Sequence, residues 1–284
     1  MFPDFRSYTQ AELDTQYTNT GSPEAEQALS VLRDRSRLNR MALPFLPALA
    51  YGPDTAQTLD FFPAEKDFAP VMMFVHGGQW QFNTTEETCF WADAVTARGI
   101  AFAAVNFPKM PTVRPGEIAS SLCQAYRYLQ DSAQALRIRP DRIALAGHSS
   151  GAHLAALSLV TELAGSPIPP ACAYLVSGMY DLEPVALSSR NKALKLSGTE
   201  IRAASPAHHL PASLPPVMVA VGERESDEFR RQSSQFFQHI CREKDGGNHR
   251  LRTIPEAAHF TSVTELHDPS SDSWTFLSEN LHNY

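Results

Sequence analysis

Ala144-Leu145-Ala146-Gly147-His148-Ser149-Ser150-Gly151-Ala152-His153-Leu154 is the stretch from which the rest of the chain can be read. An apolar run, Ile143 to Ala146, enters a Gly-x-Ser-x-Gly pentapeptide, and an Ala/Leu-rich amphipathic segment leaves it and runs to Ala164. That order predicts strand, tight turn, helix. The turn forces its central residue into a strained conformation, and Gly147 and Gly151 relieve crowding against the strand and helix packed beside it. The Ser149 hydroxyl is lifted clear of the sheet, and the Ser150 N–H points to where an oxyanion would form. A free serine is a weak nucleophile, so the reading requires a base, an acid and a second oxyanion donor elsewhere.

On both sides of this stretch, short apolar runs alternate with helical patterns. Strands are expected at 59–62, 71–75, 100–105, 143–146, 172–176, 217–221 and 250–254. Helices are expected at 24–40, 86–98, 117–136, 150–164, 228–242 and 272–282. The 117–136 helix rests on Ile118, Leu122, Ala125, Tyr126 and Leu129 at helical spacing. The 24–40 helix starts at Ser22-Pro23-Glu24 and carries Ala25, Ala28, Leu29, Leu32 and Leu38 on or near one face. Buried strands alternating with helices give an α/β fold: a mostly parallel central sheet with helices on both faces. In such sheets catalytic groups gather beyond the carboxyl ends of the strands. No repeat or low-complexity linker marks a boundary. Residues 1–284 are therefore expected to form a single domain, with 1–56 an N-terminal extension packed on it and a candidate for shaping the site.

The missing partners should then sit just after strands. His259, in Glu256-Ala257-Ala258-His259-Phe260, follows the strand ending at Ile254 and is the candidate base. His76 and His148 belong to motifs at or before the serine, His153 reads as packing one helical turn past it, and the remaining histidines have no further support. After strand 217–221 comes Gly222-Glu223-Arg224-Glu225-Ser226-Asp227-Glu228, with four carboxylates in six positions. Spacing leaves Glu225 and Asp227 as the choices for the acid that holds the histidine in the correct tautomer. A solvated acidic loop favouring the next helix's N-terminus is the competing reading. Val75-His76-Gly77-Gly78-Gln79-Trp80 follows a buried strand, and its paired glycines let backbone N–H groups approach a substrate oxygen. Gly77, Gly78 and Ser150 are the candidate oxyanion hole.

Composition bounds what else the chain does. The 284 residues carry a formal net charge of −7, which disfavours nucleic acid or an anionic membrane as a partner. No apolar run approaches the roughly 18 residues of a membrane span, and no secretory signal is visible at Met1-Phe2-Pro3-Asp4-Phe5-Arg6. Cys89, Cys123, Cys172 and Cys241 lie far apart in apolar or helical segments and read as buried reduced thiols, which fits a cytoplasmic enzyme. No cofactor and no metal are called for. The implied partner is a small-molecule amide or ester substrate, with a homo-oligomer left open.

Together these residues resemble a known family. His76-Gly77-Gly78-Gln79-Trp80, the Gly147 to Leu154 stretch and Val176-Ser177-Gly178-Met179-Tyr180-Asp181-Leu182-Glu183-Pro184 are similar to the kynurenine formamidase (arylformamidase) branch of the α/β-hydrolases. Ser205-Pro206, His209-Leu210, Val221-Gly222, Glu228 to Ser233 and His259-Phe260 add to the likeness. The resemblance implies an α/β-hydrolase fold with Ser149 as nucleophile, His259 as general base, and His76, Gln79 and Trp80 near the substrate. It places the family's acid at Glu225, where relatives carry an aspartate, with Asp227 as the fallback. Gln79 and Asn106-Phe107-Pro108-Lys109 also depart from the family's aromatic and Tyr-containing residues. The implied activity is hydrolysis of an aryl formamide through an acyl-enzyme. A carboxylesterase acting on short-chain or aryl esters is the alternative, and a hydrolase-like binding protein without turnover is the third reading.

Overall fold

Strands β1 (Leu46–Ala50), β2 (Thr58–Phe62), β3 (Ala69–Val75), β4 (Ala101–Val105), β5 (Ile138–His148), β6 (Cys172–Val176), β7 (Val217–Gly222) and β8 (Arg250–Ile254) build one sheet. This is a computed structural model, and it describes residues 2–242 and 247–282. The sheet order is β1-β2-β4-β3-β5-β6-β7-β8. β2 pairs antiparallel with both β1 and β4, and every pairing from β4 across to β8 is parallel. β3 is buried at all seven positions because helices cover both faces of the sheet. Val71, Met73 and Val75 enter one core layer, with the Pro115–Asp131 and Ser150–Thr161 helices. Met72 and Phe74 enter the other, with Trp91, Trp274 and Phe276.

Three elements differ from the expectation drawn from periodicity. The helix expected over 86–98 is instead a 3-10 turn, Thr85–Glu87, and one short helix, Ala92–Thr96. The carbonyls of Glu87 and Cys89, which a continuous helix would use internally, accept from Ser36 Oγ and Asn39 Nδ2 at 2.9 Å each. The 117–136 segment forms a helix over Pro115–Asp131 and then a separate turn of helix, Ala133–Leu136. β1 was not signalled because its positions are largely exposed at the sheet edge and show no apolar alternation.

The first helix pattern is correct in kind and in face for Ala25, Ala28, Leu29 and Leu32, which are half-buried or buried, and wrong only for Leu38. The helix Pro23–Ala42 buries Leu32, Ser36 and Asn39, whereas Leu38 is exposed. Polar residues dock it: Asn39 also reaches Asp93 at 3.1 Å, Arg35 pairs with Asp93, and Arg40 pairs with Asp60. Upstream of it, Tyr17 is fully buried, donating to Glu228 Oε2 at 2.8 Å and accepting from Gln232 Nε2 at 2.9 Å. Gln16 O accepts from Ser226 Oγ at 2.7 Å. These bonds hold the N-terminal segment against the start of the Asp227–Arg242 helix.

Cys89, Cys123 and Cys172 are buried free thiols. Cys241 is a correction: it is exposed, because it falls on the outer side of the last turn of the Asp227–Arg242 helix. Among the described residues, no helix is long and apolar enough to cross a membrane.

Candidate active site

β5 ends at His148, and the chain turns at once into the Ser150–Thr161 helix. Ser149 sits at the turn with φ +56° and ψ −126°, a conformation that L residues adopt only when the surroundings enforce it. Those surroundings are the glycines on either side. A Cβ on Gly147 would come within 2.5 Å of the Gly151 carbonyl oxygen, and one on Gly151 would meet the carbonyls of Val75 and His76. Ser149 N–H donates to Val176 O at 2.9 Å, which ties the turn to the end of β6.

Ser149 Oγ lies 2.9 Å from His259 Nε2, and His259 Nδ1 lies 2.7 Å from Glu225 Oε2. All three residues are buried. They arrive from three strand ends, after β5, β8 and β7. The other oxygen of Glu225 accepts from Gly222 N–H at 2.7 Å and from Ser177 Oγ at 2.5 Å, so both carboxylate oxygens are occupied. The remaining acidic residues of the loop are engaged elsewhere. Asp227 pairs with Arg230 at 2.6 Å, Glu223 accepts from Glu256 N–H at 3.0 Å, and Glu228 pairs with Arg231.

The His259 backbone is fixed as well. Its carbonyl accepts from Ser262 Oγ at 2.9 Å and from His148 Nε2 at 2.9 Å. The bond to a carbonyl makes His148 Nε2 the protonated nitrogen. Burial, and then the neighbouring His259, push His148 down to about 3, so it stays a neutral donor.

After β3, Gly77 packs directly on the serine: a Cβ there would lie 3.0 Å from Ser149 Cβ. Gly78 has φ +121° and its missing Cβ leaves room for the Phe82 carbonyl, which only glycine permits. The Gly77 carbonyl accepts from Asn83 Nδ2 at 3.2 Å and from His76 Nδ1 at 2.7 Å. His76 Nε2 in turn meets Lys109 Nζ at 3.0 Å, which makes Nε2 the acceptor and Nδ1–H the donor to Gly77. The peptide between the two glycines is thereby held from its carbonyl side. Burial pushes His76 down to about 3 and Lys109 down to about 7. Trp80 N–H donates to Ser150 Oγ at 3.1 Å, which joins this loop to the helix that begins at the serine turn.

Above Ser149 lies a cavity of about 280 Å³. Gly77, Gly78, Gln79, His148, Ser149 and His259 line its floor. Of the residues expected near a substrate, Gln79 lines the cavity and Trp80 and His76 do not. Trp80 is turned into the core, where its Nε1–H donates to His153 Nδ1 at 3.0 Å. His76 stacks on Phe107 with ring centroids 4.6 Å apart. His153 completes the packing by donating from Nε2 to Ala204 O at 2.7 Å.

The N-terminal extension, offered by the sequence as a candidate for shaping the site, contributes Asn19, Thr20, Leu29, Leu32 and Arg33 to the wall, while Phe82, Glu87, Thr88, Phe90 and Arg190 were not singled out. Sequence reading also missed Ser177 and Ser262, which hydrogen-bond each other at 3.0 Å behind Glu225. Ser177 had a usable signal, since it directly follows the apolar run of β6. Among the described residues, no group of three or more His, Cys, Asp or Glu side chains is placed to hold a metal ion.

Comparisons with known proteins agree with this architecture. A family model described as BD-FAE matches residues 59–165. Kynurenine formamidase from Danio rerio is 28% identical over 93% of this chain and 94% of its own. That from Salmo salar is 29% identical over 84% and 83%. The solved structure of a candidate thioesterase from Silicibacter sp. is 27% identical, covers 94% of this chain and 99% of its own, and superposes with a TM-score of 0.81. The chain is a hydrolase with the α/β-hydrolase fold, similar over most of its length to kynurenine formamidases.

Proposed function

We propose that the chain hydrolyses an aryl formamide of the N-formylkynurenine kind, with Ser149, His259 and Glu225 as its triad. One observation carries the reading: the unbroken line of hydrogen bonds from Ser149 Oγ through His259 to Glu225 Oε2, at 2.9 and 2.7 Å. The relatives supply the substrate class.

Ser149 Oγ attacks the formyl carbon while His259 Nε2 takes its proton. The carbonyl oxygen becomes an oxyanion facing Gly77, Gly78 and the Ser150 N–H, donors fixed before the reaction begins. His259 then gives its proton to the departing arylamine nitrogen as the C–N bond breaks, leaving a formyl ester on Ser149. Water attacks that ester, His259 again takes and returns a proton, and formate leaves with the serine restored. Glu225 holds the imidazole oriented and offsets its charge in both half-reactions. The N-terminal extension belongs to this single domain and closes one side of the site. The cytoplasm suits an enzyme with three buried free thiols.

The purified protein tests this with N-formylkynurenine and p-nitrophenyl acetate side by side. The reading expects efficient formamide cleavage. Turnover of the ester with negligible kcat/KM for the formamide would replace it by a carboxylesterase. Absence of both activities, with no fluorophosphonate adduct at Ser149, would leave a binding protein.

A further inference from the structure

We propose that Arg190 selects substrates by pairing with an anionic group, such as a carboxylate, carried on the part of the substrate that lies away from the scissile bond. Arg190 lines the same cavity as Ser149. It belongs to the segment between β6 and β7, where the short helix Asn191–Leu194 begins. Its guanidinium donates to the Tyr17 carbonyl through Nη2 and forms no ion pair with a carboxylate among the described residues. A guanidinium carries five N–H donors in a planar fork that fits a carboxylate bidentately. A half-buried cation satisfied by one backbone carbonyl therefore keeps donors for a ligand. Burial pushes its pKa down to about 10, opposed only by the Tyr17 phenol, so it remains charged at neutral pH.

The other charged residues of the cavity differ. Arg33 lies close enough to Glu87 to lower the acid's pKa, so that cation has an acidic neighbour within the wall. Glu87 in turn is engaged by Thr84, through N–H at 2.8 Å and Oγ1 at 2.6 Å. Arg190 is thus the cation in the wall whose charge the protein itself leaves uncompensated. The single bond it makes also has a consequence for shape. Tyr17 is two and three residues before Asn19 and Thr20, which line the cavity, so the guanidinium that would grip the substrate also steadies the adjoining wall.

This rests on the reading of Ser149 as the nucleophile of an aryl formamide hydrolase, and it assigns the side chain that reads the carboxylate such a substrate carries on its leaving aryl portion. The test compares matched substrates that differ only in this charge: N-formylkynurenine against its carboxamide, and an aryl acetate bearing a carboxylate against the corresponding carboxamide. Wild type, Arg190→Gln and Arg190→Lys are measured on both pairs. The expected result is that the ratio of kcat/KM for anionic over neutral substrate falls about 10- to 100-fold in Arg190→Gln, chiefly through KM. Arg190→Lys should recover part of the ratio, since it restores charge without the fork. An unchanged ratio in Arg190→Gln would overturn the proposal, and so would an equal loss on anionic and neutral substrates. If wild type cleaves the acetates but not the formamides, the formamidase reading fails, while the acetate pair still decides the role of Arg190.

Discussion

The floor of the cavity and its wall come from different parts of the chain. On the floor, Gly77 and Gly78 follow β3, Ser149 follows β5 and His259 follows β8, with Glu225, after β7, supporting His259 from beneath. Behind them, Ser177 follows β6. The wall is assembled from Asn19 and Thr20 in a loop, Leu29, Leu32 and Arg33 on the Pro23–Ala42 helix, Phe82 after β3, and Arg190 between β6 and β7. Strand ends of a parallel sheet are held in register by their neighbours, so groups placed there keep sub-ångström relations. Wall residues are held by long-range polar contacts between segments with no shared sheet. The floor is suited to chemistry, which needs fixed geometry, and the wall to selection, which changes with the loops that build it.

Removing floor groups should give the largest effects. Ser149→Ala is expected to lower kcat by at least about 10⁴-fold, and Glu225→Ala by about 10³- to 10⁴-fold. Asp227→Ala should stay within about twofold, because its carboxylate is spent on Arg230 at 2.6 Å. Steady-state kinetics on one purified set settles all three. Full activity in Ser149→Ala would end the enzyme reading, and a large loss in Asp227→Ala with a small one in Glu225→Ala would move the acid.

A second effect concerns stability beneath the floor. Burial holds His76 and His148 at about 3 and His153 at about 4, while an unfolded imidazole titrates near about 6.5. Between those values the unfolded chain binds protons that the folded chain refuses. Stability from these three groups is therefore full above about pH 6.5 and falls as pH drops toward about 4. Each fully titrating group contributes a slope of about 1.4 kcal/mol per pH unit. Urea midpoints at pH 7.5 and 5.0 should show the fall. His153→Gln, which keeps an acceptor for Trp80 and a donor for Ala204, should flatten the slope by one group's share; an unaltered slope would remove His153 from this account.

What was legible in the sequence follows the same division. The Gly-x-Ser-x-Gly turn and the paired glycines at 77 and 78 each sit beside an apolar run that marks a strand, and His259 follows β8, whose Arg250-Leu251-Arg252-Thr253-Ile254 mixes polar and apolar residues. A strand end is a local signal. Spacing narrows the acid to Glu225 or Asp227 without separating them, and only the family resemblance favours Glu225, since which carboxylate faces His259 depends on Gly222 N–H and Ser177, one of them 48 residues away. The wall was signalled only in outline, by the N-terminal extension and not by its individual residues. Leu38 is apolar but lies off the face shared by Leu29 and Leu32 and is exposed, whereas Ser36 and Asn39 are polar on that face and are buried, because carbonyls of the 87–89 turn recruit them. Trp80 looked like a substrate contact from its place beside Gly77 and Gly78. Its indole N–H is instead taken by His153, 73 residues on.

Ser177 tests the floor more gently. Ser177→Ala deletes one of two donors to Glu225 Oε1 and leaves Gly222 N–H in place. A hydrogen bond to a charged acceptor at this depth corresponds to a loss of about tenfold in kcat, with KM little changed. A drop confined to KM would mean that Ser177 acts on the cavity's shape and not on the acid.

Phe82 gives the sharpest comparison, because its backbone belongs to the floor and its side chain to the wall. Its N–H donates to Gly78 O at 2.8 Å, and its own carbonyl fills the space that Gly78 leaves by lacking a Cβ. The ring lines the cavity and is 59% exposed, with no structural load to bear. Phe82→Ala keeps the backbone contacts and removes only apolar surface available to a bound substrate. Covering part of a phenyl ring corresponds to about 1 kcal/mol, so KM should rise about fivefold while kcat holds. A matching fall in kcat would mean that the ring is felt in the transition state, and floor and wall would then act as one unit.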